Sequence, residues 1–146
     1  MLSAQNLLEE FFDCLSKLDT SVDRCVELFS EDGVWELPYF SSIGIDPQFA
    51  GKAAIRGALE LLRSRFSGFT FSNIRVYELK NDAGLFAEYH SDAFIDSTTR
   101  VYAQDYVSRI VVQGGRITLL REYLNIISTA RLLLPGGLAG VPEPPL

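Results

Sequence analysis

The hydrophobic period of the chain changes near Phe69, and this change constrains the fold more than any other sequence feature. Before Phe69, apolar residues recur every three or four positions, as they do in amphipathic helices. After Phe69, apolar and polar residues alternate in segments rich in aromatic and β-branched residues, which is typical of half-buried strands. Helices followed by a run of strands predict an α+β fold, with the helices packed on one face of an antiparallel sheet.

The part of the chain before the change is predicted to hold three helices and one short strand. Thr20 is placed to cap the second helix, and Gly33 belongs to the segment that ends it. Pro38 ends the short strand. Gly68 follows the third helix, where a left-handed C-terminal cap is expected. The predicted helices cover residues 3–18, from 20 to about 30, and 52–66, and the strand covers 34–37.

Four long strands and an irregular tail are predicted after the change. The turns between the strands are short, the first of them formed by Asn81, Asp82, Ala83 and Gly84. Short turns require antiparallel neighbours, because a parallel pair needs a long crossover. We therefore expect one domain over 1–134 and an irregular Pro- and Gly-rich tail over 135–146. The predicted strands cover 69–79, 85–95, 101–112 and 116–127.

Composition excludes several classes of protein. The chain has 146 residues with 13 basic and 19 acidic side chains, a formal charge of −6. Nucleic-acid binding requires a basic surface, so neither a nucleic acid nor an anionic membrane is an expected partner. No apolar run approaches the ~20 residues of a membrane span, and the first residues do not resemble a signal peptide. Cys14 and Cys25 are expected to be buried thiols of a cytoplasmic protein without metal or cofactor.

Three local motifs resemble those of SnoaL-like proteins. The segment LFSEDGVW at 28–35 resembles the helix-to-strand corner of that group, and GKAAIR at 51–56 resembles the start of its third helix. The segment GGRITLLREYLN at 114–125 is similar to the final strand of the phenazine-biosynthesis A/B branch. The resemblance implies an NTF2-like cone, in which three N-terminal helices pack on a curved antiparallel sheet. Isomerases, cyclases, dehydratases, hydrolases and binding proteins share this fold.

In such a cone, alternate strand residues face one cavity, so side-chain parity selects candidate site residues. We expect the faces that carry His90, Tyr106 and Glu122 to line the cavity, and the face that carries Asp105 and Arg109 to be a charged outer surface. An outer sheet surface of this kind is often a dimer face in the resembled fold, so a homodimer is expected.

The resemblance and the cavity suggest proton-transfer chemistry. Glu122 matches the pocket acid of the phenazine A/B proteins, and His90 would be its partner, oriented by Asp92 or Glu88. Tyr106 would donate to a developing oxyanion. The catalytic candidates are therefore His90, Glu122 and Asp92. The expected substrate-binding residues are Trp35, Tyr39, Phe40, Glu88, Tyr102, Tyr106 and Asn125.

Other interpretations of these residues remain open. The alternation of Glu88, His90 and Asp92 is also typical of a solvent-facing strand. Glu122 could form a salt bridge with an arginine, and the histidine that the phenazine branch carries on its third helix falls at about Ala58. The leading hypothesis is a cofactor-independent isomerase or cyclase that acts on a hydrophobic polyketide- or terpenoid-like molecule of secondary metabolism. The alternative is a non-catalytic small-molecule-binding or dimeric assembly protein.

Overall fold

The structure, a computed structural model, describes residues 2–80 and 83–144. Two residues of the first predicted strand turn, Asn81 and Asp82, lie outside the described residues, as do residues 145–146 of the predicted tail. The helices are α1 (Ala4–Ser16), α2 (Leu18–Glu27), α3 (Lys52–Arg65) and α4 (Ile126–Leu133). The strands are β1 (Phe29–Glu36), β2 (Gln48–Ala50), β3 (Phe66–Glu78), β4 (Gly84–Ile95), β5 (Val101–Gln113) and β6 (Arg116–Leu124).

The first two helices contact each other and pack over the sheet. Ser3 caps α1, because its hydroxyl accepts a hydrogen bond from the backbone N–H of Asn6. Only Lys17 separates α1 from α2. Both helices bury the apolar face that their 3.6-residue period predicts, and Cys14 and Cys25 are buried free thiols on those faces, as expected.

The six strands form one sheet in the order β2-β1-β6-β5-β4-β3. The pairs of β3 with β4, β4 with β5 and β5 with β6 are antiparallel, whereas β1 lies parallel to β6. Register shifts interrupt β3, β5 and β1, and such irregularities curve a sheet. The prediction of an α+β fold with N-terminal helices on a curved sheet is confirmed.

Two glycines that the sequence places at helix ends lie within strands instead. Gly33 is part of β1, at the shift in its pairing with β6, where an added Cβ would lie 2.9 Å from the carbonyl oxygen of Ile117. Gly68 has a φ of +65° inside β3, at a bulge between Ser67 and Thr70. The predicted left-handed cap of α3 is therefore wrong, because α3 ends at Arg65 and the chain passes directly into an extended strand.

The end of the last strand also differs from the prediction. β6 ends at Leu124, and Asn125 caps α4 through a hydrogen bond from the backbone N–H of Ser128 to its side chain. A single turn of 3₁₀ helix follows over Gly137–Gly140. The β-branched pair Ile126 and Ile127 favoured a strand from the local pattern, but burial of one face of α4 against the cavity stabilises a helix.

Candidate functional site

A cavity lies between the helices and the concave face of the sheet. Its volume is about 110 Å³, and side chains from α1, α3, α4 and from strands across the sheet line it. Most of the lining is apolar, with six aromatic rings from the first half of the chain among its walls. These rings are Trp35, Phe40, Phe49, Phe66, Phe69 and Phe71.

Glu122 is the buried carboxyl group of this cavity. It lies on β6 with its inward neighbours Leu120 and Leu124, and only 4% of its surface is exposed. The Trp35 indole N–H donates to Oε1 of Glu122 over 2.6 Å, and the Tyr89 hydroxyl donates to Oε2 over 2.8 Å. Both oxygens are therefore fixed in position by donors on other strands.

Burial raises the pKa of Glu122 above its ordinary value, because the apolar surroundings disfavour the charged form. The hydrogen bonds from Tyr89 and Trp35 oppose this effect, since they stabilise the carboxylate. A raised pKa makes a carboxyl group a better base when ionised and lets it keep its proton, as an acid, to higher pH. The neighbouring Arg121 faces the other side of the sheet and pairs with Glu36, so it is not a salt-bridge partner of Glu122.

Tyr89 connects Glu122 to the next two strands. Its hydroxyl lies 2.6 Å from Oγ of the buried Ser108, and its ring stacks on that of Tyr106 with the centroids 4.8 Å apart. Register explains this arrangement, since Tyr89 pairs with Tyr106 across β4 and β5, and Ser108 pairs with Glu122 across β5 and β6. Burial raises the pKa of Tyr89 and of Tyr106 well above the usual range, so both hydroxyls remain protonated donors.

A second polar cluster joins β5 to α4 at the cavity wall. The Tyr102 hydroxyl lies 2.9 Å from Oγ1 of Thr129, and the side-chain amide of Gln104 donates to that Tyr102 hydroxyl over 2.8 Å. Gln104 also holds the backbone of Asn125, whose N–H donates to Oε1 and whose carbonyl accepts from Nε2. Asn125 therefore positions α4 through its backbone hydrogen bonds and its side-chain cap. It is not among the residues that line the cavity, so its predicted position there is wrong.

His90 lies on the outer face of the sheet, so the prediction that it lines the cavity with Glu122 is wrong. On β4 the inward side chains are Leu85, Ala87, Tyr89, Ser91 and Ala93, all of which are buried. Small residues fit that face because the aromatic residues of α1 and β3 pack on it. The outward residues include Phe86 and Phe94, and these aromatic side chains make the outer face resemble an inner one in sequence.

The other members of the predicted histidine cluster lie with it on the outer face. The Nδ1 atom of His90 is 2.7 Å from Asp105, and its Nε2 atom is 3.1 Å from Asp92. Hydrogen bonds to Asp105 and then Asp92 raise the pKa of His90. Glu88 is exposed on the same face. The structure thus brings His90 and Asp92 together as predicted, but away from the cavity, where neither can exchange a proton with Glu122.

The loop after β1 contributes one of its two predicted residues to the cavity. Both Tyr39 and Phe40 lie in the 3₁₀ helix Pro38–Ile43. Phe40 is buried and lines the cavity, whereas Tyr39 is half exposed and packs its ring against Tyr123 with the centroids 5.5 Å apart. Trp35, Tyr102, Tyr106 and Glu122 line the cavity.

Tyr89, Thr129 and Arg65 belong to the site but were not among the sequence candidates. Tyr89 was assigned to the outer face through the same parity error that placed His90 inside. Thr129 is on a helix that the sequence pattern did not predict, and Arg65 ends α3 with its side chain at the cavity. Ala87 and Ala93 lie on the same face of β4 as Tyr89. Assigning the face that carries these small residues to the cavity would therefore have selected Tyr89.

The described residues add two findings on metals and membranes. Within 2–80 and 83–144, no group of three or more His, Cys, Asp or Glu side chains is arranged to hold a metal ion. In the same residues no helix is both long and apolar enough to span a bilayer.

The helices, the curved sheet and the cavity between them define an NTF2-like fold. Residues 8–120 match the family profile described as the SnoaL-like domain, and the chain belongs to this family. The Bacillus subtilis protein YesE, itself uncharacterised, is 30% identical over 108 residues, which cover 74% of this chain and 73% of YesE. The PhzA/B-like protein PA3332 of Pseudomonas aeruginosa is 28% identical over 99 residues, 68% of this chain and 69% of that protein.

Solved structures share the fold along almost the whole chain. A proposed isomerase from Bacillus subtilis superposes with a TM-score of 0.80 at 27% identity, covering 92% of this chain and 93% of that one. The phenazine biosynthesis-related protein PhzB2 of Pseudomonas aeruginosa superposes with a TM-score of 0.65 at 21% identity, covering 98% and 93%. Two proposed polyketide cyclases, an LEH-like epoxide hydrolase and a hypothetical protein with a ketosteroid isomerase-like fold also have this fold.

Proposed function

We propose that the chain is a cofactor-independent enzyme that transfers a proton on a small hydrophobic carbonyl compound, with Glu122 as both base and acid. The observation that carries this proposal is one buried carboxyl group, fixed by Trp35 and Tyr89, in a cavity of mostly apolar side chains. Such surroundings raise the pKa of a carboxyl group, and a positioned carboxyl group with a raised pKa is suited to general acid-base catalysis.

The proposed reaction needs no group besides the protein and the substrate. The Glu122 carboxylate takes a proton from the carbon next to the substrate carbonyl, and the C–H electron pair forms the enolate. The Tyr106 hydroxyl donates a hydrogen bond to the enolate oxygen. In a substrate with a carbon–carbon double bond next to that carbon, the enolate extends over the double bond. Neutral Glu122 then returns the proton to the far carbon of that double bond, which restores the carbonyl, shifts the double bond into conjugation and completes an isomerisation. Tyr89 holds the carboxyl group in place through both steps.

The cavity favours a substrate of about one ring. An engineered apolar cavity of about 150 Å³ binds benzene, and the cavity here is about 110 Å³. A polycyclic polyketide or terpenoid would require side chains at the cavity to move, whereas a six-membered cyclic ketone requires little rearrangement. The proposed substrate is therefore a monocyclic ketone or a linear carbonyl compound of similar size.

Isomerisation of 3-cyclohexen-1-one to its conjugated isomer tests the proposal, since the product absorbs more strongly in the ultraviolet. Glu122→Gln should lower turnover by about 100-fold or more, because general acid-base groups contribute about 10²–10⁴-fold. His90→Ala is the matched control and should keep the parent rate, because His90 lies on the outer face. Equal turnover by the parent and Glu122→Gln, or loss of turnover in His90→Ala, would contradict the proposed role of Glu122.

Ligand binding without turnover is the second candidate function. It is favoured by the hydrogen bonds of Glu122, since each carboxyl oxygen already accepts one from the protein. In that case cyclic ketones would raise the thermal unfolding temperature of the parent without being converted. Conversion by the parent that depends on Glu122 would exclude this candidate.

We also propose that the outer sheet face forms a homodimer. Phe94, Val101 and Val107 expose 47%, 52% and 44% of their surfaces on or beside this face. Phe94 pairs with Val101 across β4 and β5, so these two side chains are neighbours, and adjacent exposed apolar groups are typical of protein interfaces. Sedimentation should give twice the monomer mass for the parent, and Val107→Glu should shift it toward the monomer. A parent that sediments as a monomer at all concentrations would contradict the dimer.

A further inference from the structure

Cys14 and Cys25 are the two cysteines of the chain, and the fold places them against each other. Cys14 lies in the last turn of α1 and Cys25 in the last turn of α2. Both side chains are fully buried, and the Cys25 thiol donates a hydrogen bond to the Cys14 sulfur. The proposed proton transfer uses neither of them, so this pair of thiols is available for a separate chemistry.

Contacts that do not involve sulfur hold the same two parts of α1 and α2 together. The buried Ser21 hydroxyl donates to the carbonyl oxygen of Cys14 over 2.5 Å. Cys25 follows Ser21 by four residues and therefore lies on the same face of α2, one turn further along. At the surface, Arg24 and Asp13 link the two helices through an ion pair of 2.7 Å. The end of α1 is thus fixed against α2 at two successive turns, and the thiols face each other between them.

The two thiols differ in acidity, which assigns them different roles. The hydrogen bond from Cys25 lowers the pKa of the Cys14 thiol, and the Arg24 cation acts in the same direction, whereas burial, Glu10 and Asp13 oppose it. The same hydrogen bond and burial raise the pKa of the Cys25 thiol. The thiolate is the nucleophile in thiol chemistry, so Cys14 is the attacking group and Cys25 the thiol that reacts second.

A pocket at the joint of α1 and α2 brings small molecules close to Cys14. Its volume is about 110 Å³, and residues 15–20 form one wall while the start of β3 forms the other. A space of this size is large enough for hydrogen peroxide, which is little larger than water. Leu15, the residue after Cys14, lines the pocket. Fraying of the last turn of α1, the part of a helix that opens most readily, then exposes the Cys14 sulfur.

We propose that Cys14 and Cys25 form an oxidation site, at which a peroxide converts the two thiols to a disulfide between α1 and α2. The Cys14 sulfur attacks one oxygen of hydrogen peroxide, the O–O bond breaks, and a sulfenic acid and water form. The Cys25 sulfur then displaces the hydroxyl group of the sulfenic acid, which leaves with the Cys25 proton as a second water. The two sulfurs lose two electrons in total, and the peroxide gains them.

The aromatic residues of α1 connect this site to the cavity. Phe11 packs edge-on against Trp35 with the ring centroids 5.5 Å apart, and Phe12 packs edge-on against Tyr89 with the centroids 4.6 Å apart. Trp35 and Tyr89 are the two hydrogen-bond donors to Glu122. A disulfide shortens the separation of the sulfurs from hydrogen-bond contact to about 2.05 Å, so its formation moves the end of α1 and the two rings that α1 carries.

Peptide mapping after treatment of the folded chain with hydrogen peroxide tests the oxidation site. Trypsin cleaves after Lys17 and Arg24, so Cys14 and Cys25 fall in separate peptides. The parent should lose both free thiols together and yield these two peptides joined, and dithiothreitol should separate them. In Cys25→Ser, oxidation should stop at a sulfenic acid on Cys14, which dimedone traps. In the matched Cys14→Ser variant, the Cys25 thiol should stay unreacted, because it keeps its proton.

The fluorescence of Trp35, the one tryptophan of the chain, tests the connection to the cavity. Oxidation of the parent should shift the Trp35 emission, and dithiothreitol should reverse the shift. A disulfide that forms with unchanged emission would contradict the connection. A parent that keeps both thiols, forms sulfinic acid without a cross-link, or cross-links only between chains would overturn the oxidation site. These outcomes are measured on the parent and without a substrate, so they hold where a cysteine variant fails to fold and are independent of the proposed function.

Discussion

Replacement of Glu122 by Gln should change how stability depends on pH. Burial raises the pKa of Glu122 in the folded state, so between the ordinary value of 4.5 and the folded value the native protein holds a proton that the unfolded chain releases. Stability from this group is therefore fully present below pH 4.5 and is lost as the pH rises through the folded pKa. Gln keeps the size of the side chain and can accept the Trp35 hydrogen bond, but it does not ionise.

The size of the effect follows from proton linkage. A difference of one bound proton changes the free energy of unfolding by about 1.4 kcal/mol per pH unit. Relative to the parent, Glu122→Gln should thus gain stability with a slope of up to about 1.4 kcal/mol per pH unit above pH 4.5, levelling off above the folded pKa. The variant should be more stable than the parent at pH 8 and close to it at pH 4.

Urea denaturation from pH 4 to pH 8 measures this difference. Glu88→Gln is the control, because it removes the same charge from an exposed position on the outer sheet face. A stability difference between the parent and Glu122→Gln that stays constant from pH 4 to pH 8 would refute the reasoning. A difference that falls as the pH rises would also refute it, since that sign indicates a lowered pKa.

Three further predictions concern the supporting contacts. Tyr89→Phe leaves Ser108 without its buried hydrogen-bond partner, so urea denaturation should show that the free energy of unfolding falls by about 1–3 kcal/mol. The pKa of the Glu122 carboxyl group should also rise, because one of its two hydrogen-bond donors is removed. An unchanged free energy of unfolding would contradict the contact between Tyr89 and Ser108. The pKa of His90 is raised by Asp105, so this pair stabilises the fold below about pH 6.5 and ceases to do so as the pH rises through the folded pKa. Asp105→Asn should therefore cost about 0.5 kcal/mol at pH 6 and nothing at pH 9, and a cost that is equal at both would exclude the pair. Asn125→Ala should lower the free energy of unfolding by about 1 kcal/mol, because α4 loses its N-terminal cap. A variant with the helix content and the free energy of unfolding of the parent would contradict the role of this cap.

The fold was predictable because its strongest signal is periodic over many residues. The apolar stripe of α1 and the alternation along β4 and β5 each repeat often enough to define an element, and the short turns require antiparallel pairing. The end of β6 was not predictable in the same way. Ile126 and Ile127 favour a strand locally, and only the cap at Asn125 together with packing against the cavity makes that segment helical.

Only part of the candidate site was predictable from the sequence. Alternation along a strand divides its side chains into two faces, and only packing decides which face lines the cavity. On β6 the choice was correct, since Glu122 lies between the buried Leu120 and the partly buried Leu124. On β4 it was wrong, because a shift by one residue exchanges Tyr89 for His90 and both faces carry aromatic residues. Arg65 illustrates a third limit, since a basic residue at the end of a helix gives no sequence signal that it reaches a cavity.

Carbon-13 NMR titration of the Glu122 side-chain carboxyl most directly tests whether a buried acid operates in this cavity. The Glu122→Gln variant identifies the resonance by its absence. We expect a titration midpoint above the ordinary value of 4.5, because the apolar surroundings disfavour the carboxylate more than the Trp35 and Tyr89 hydrogen bonds stabilise it. A midpoint at or below 4.5 would show that Glu122 is ionised throughout the neutral range, and it would contradict the role of Glu122 as a proton donor.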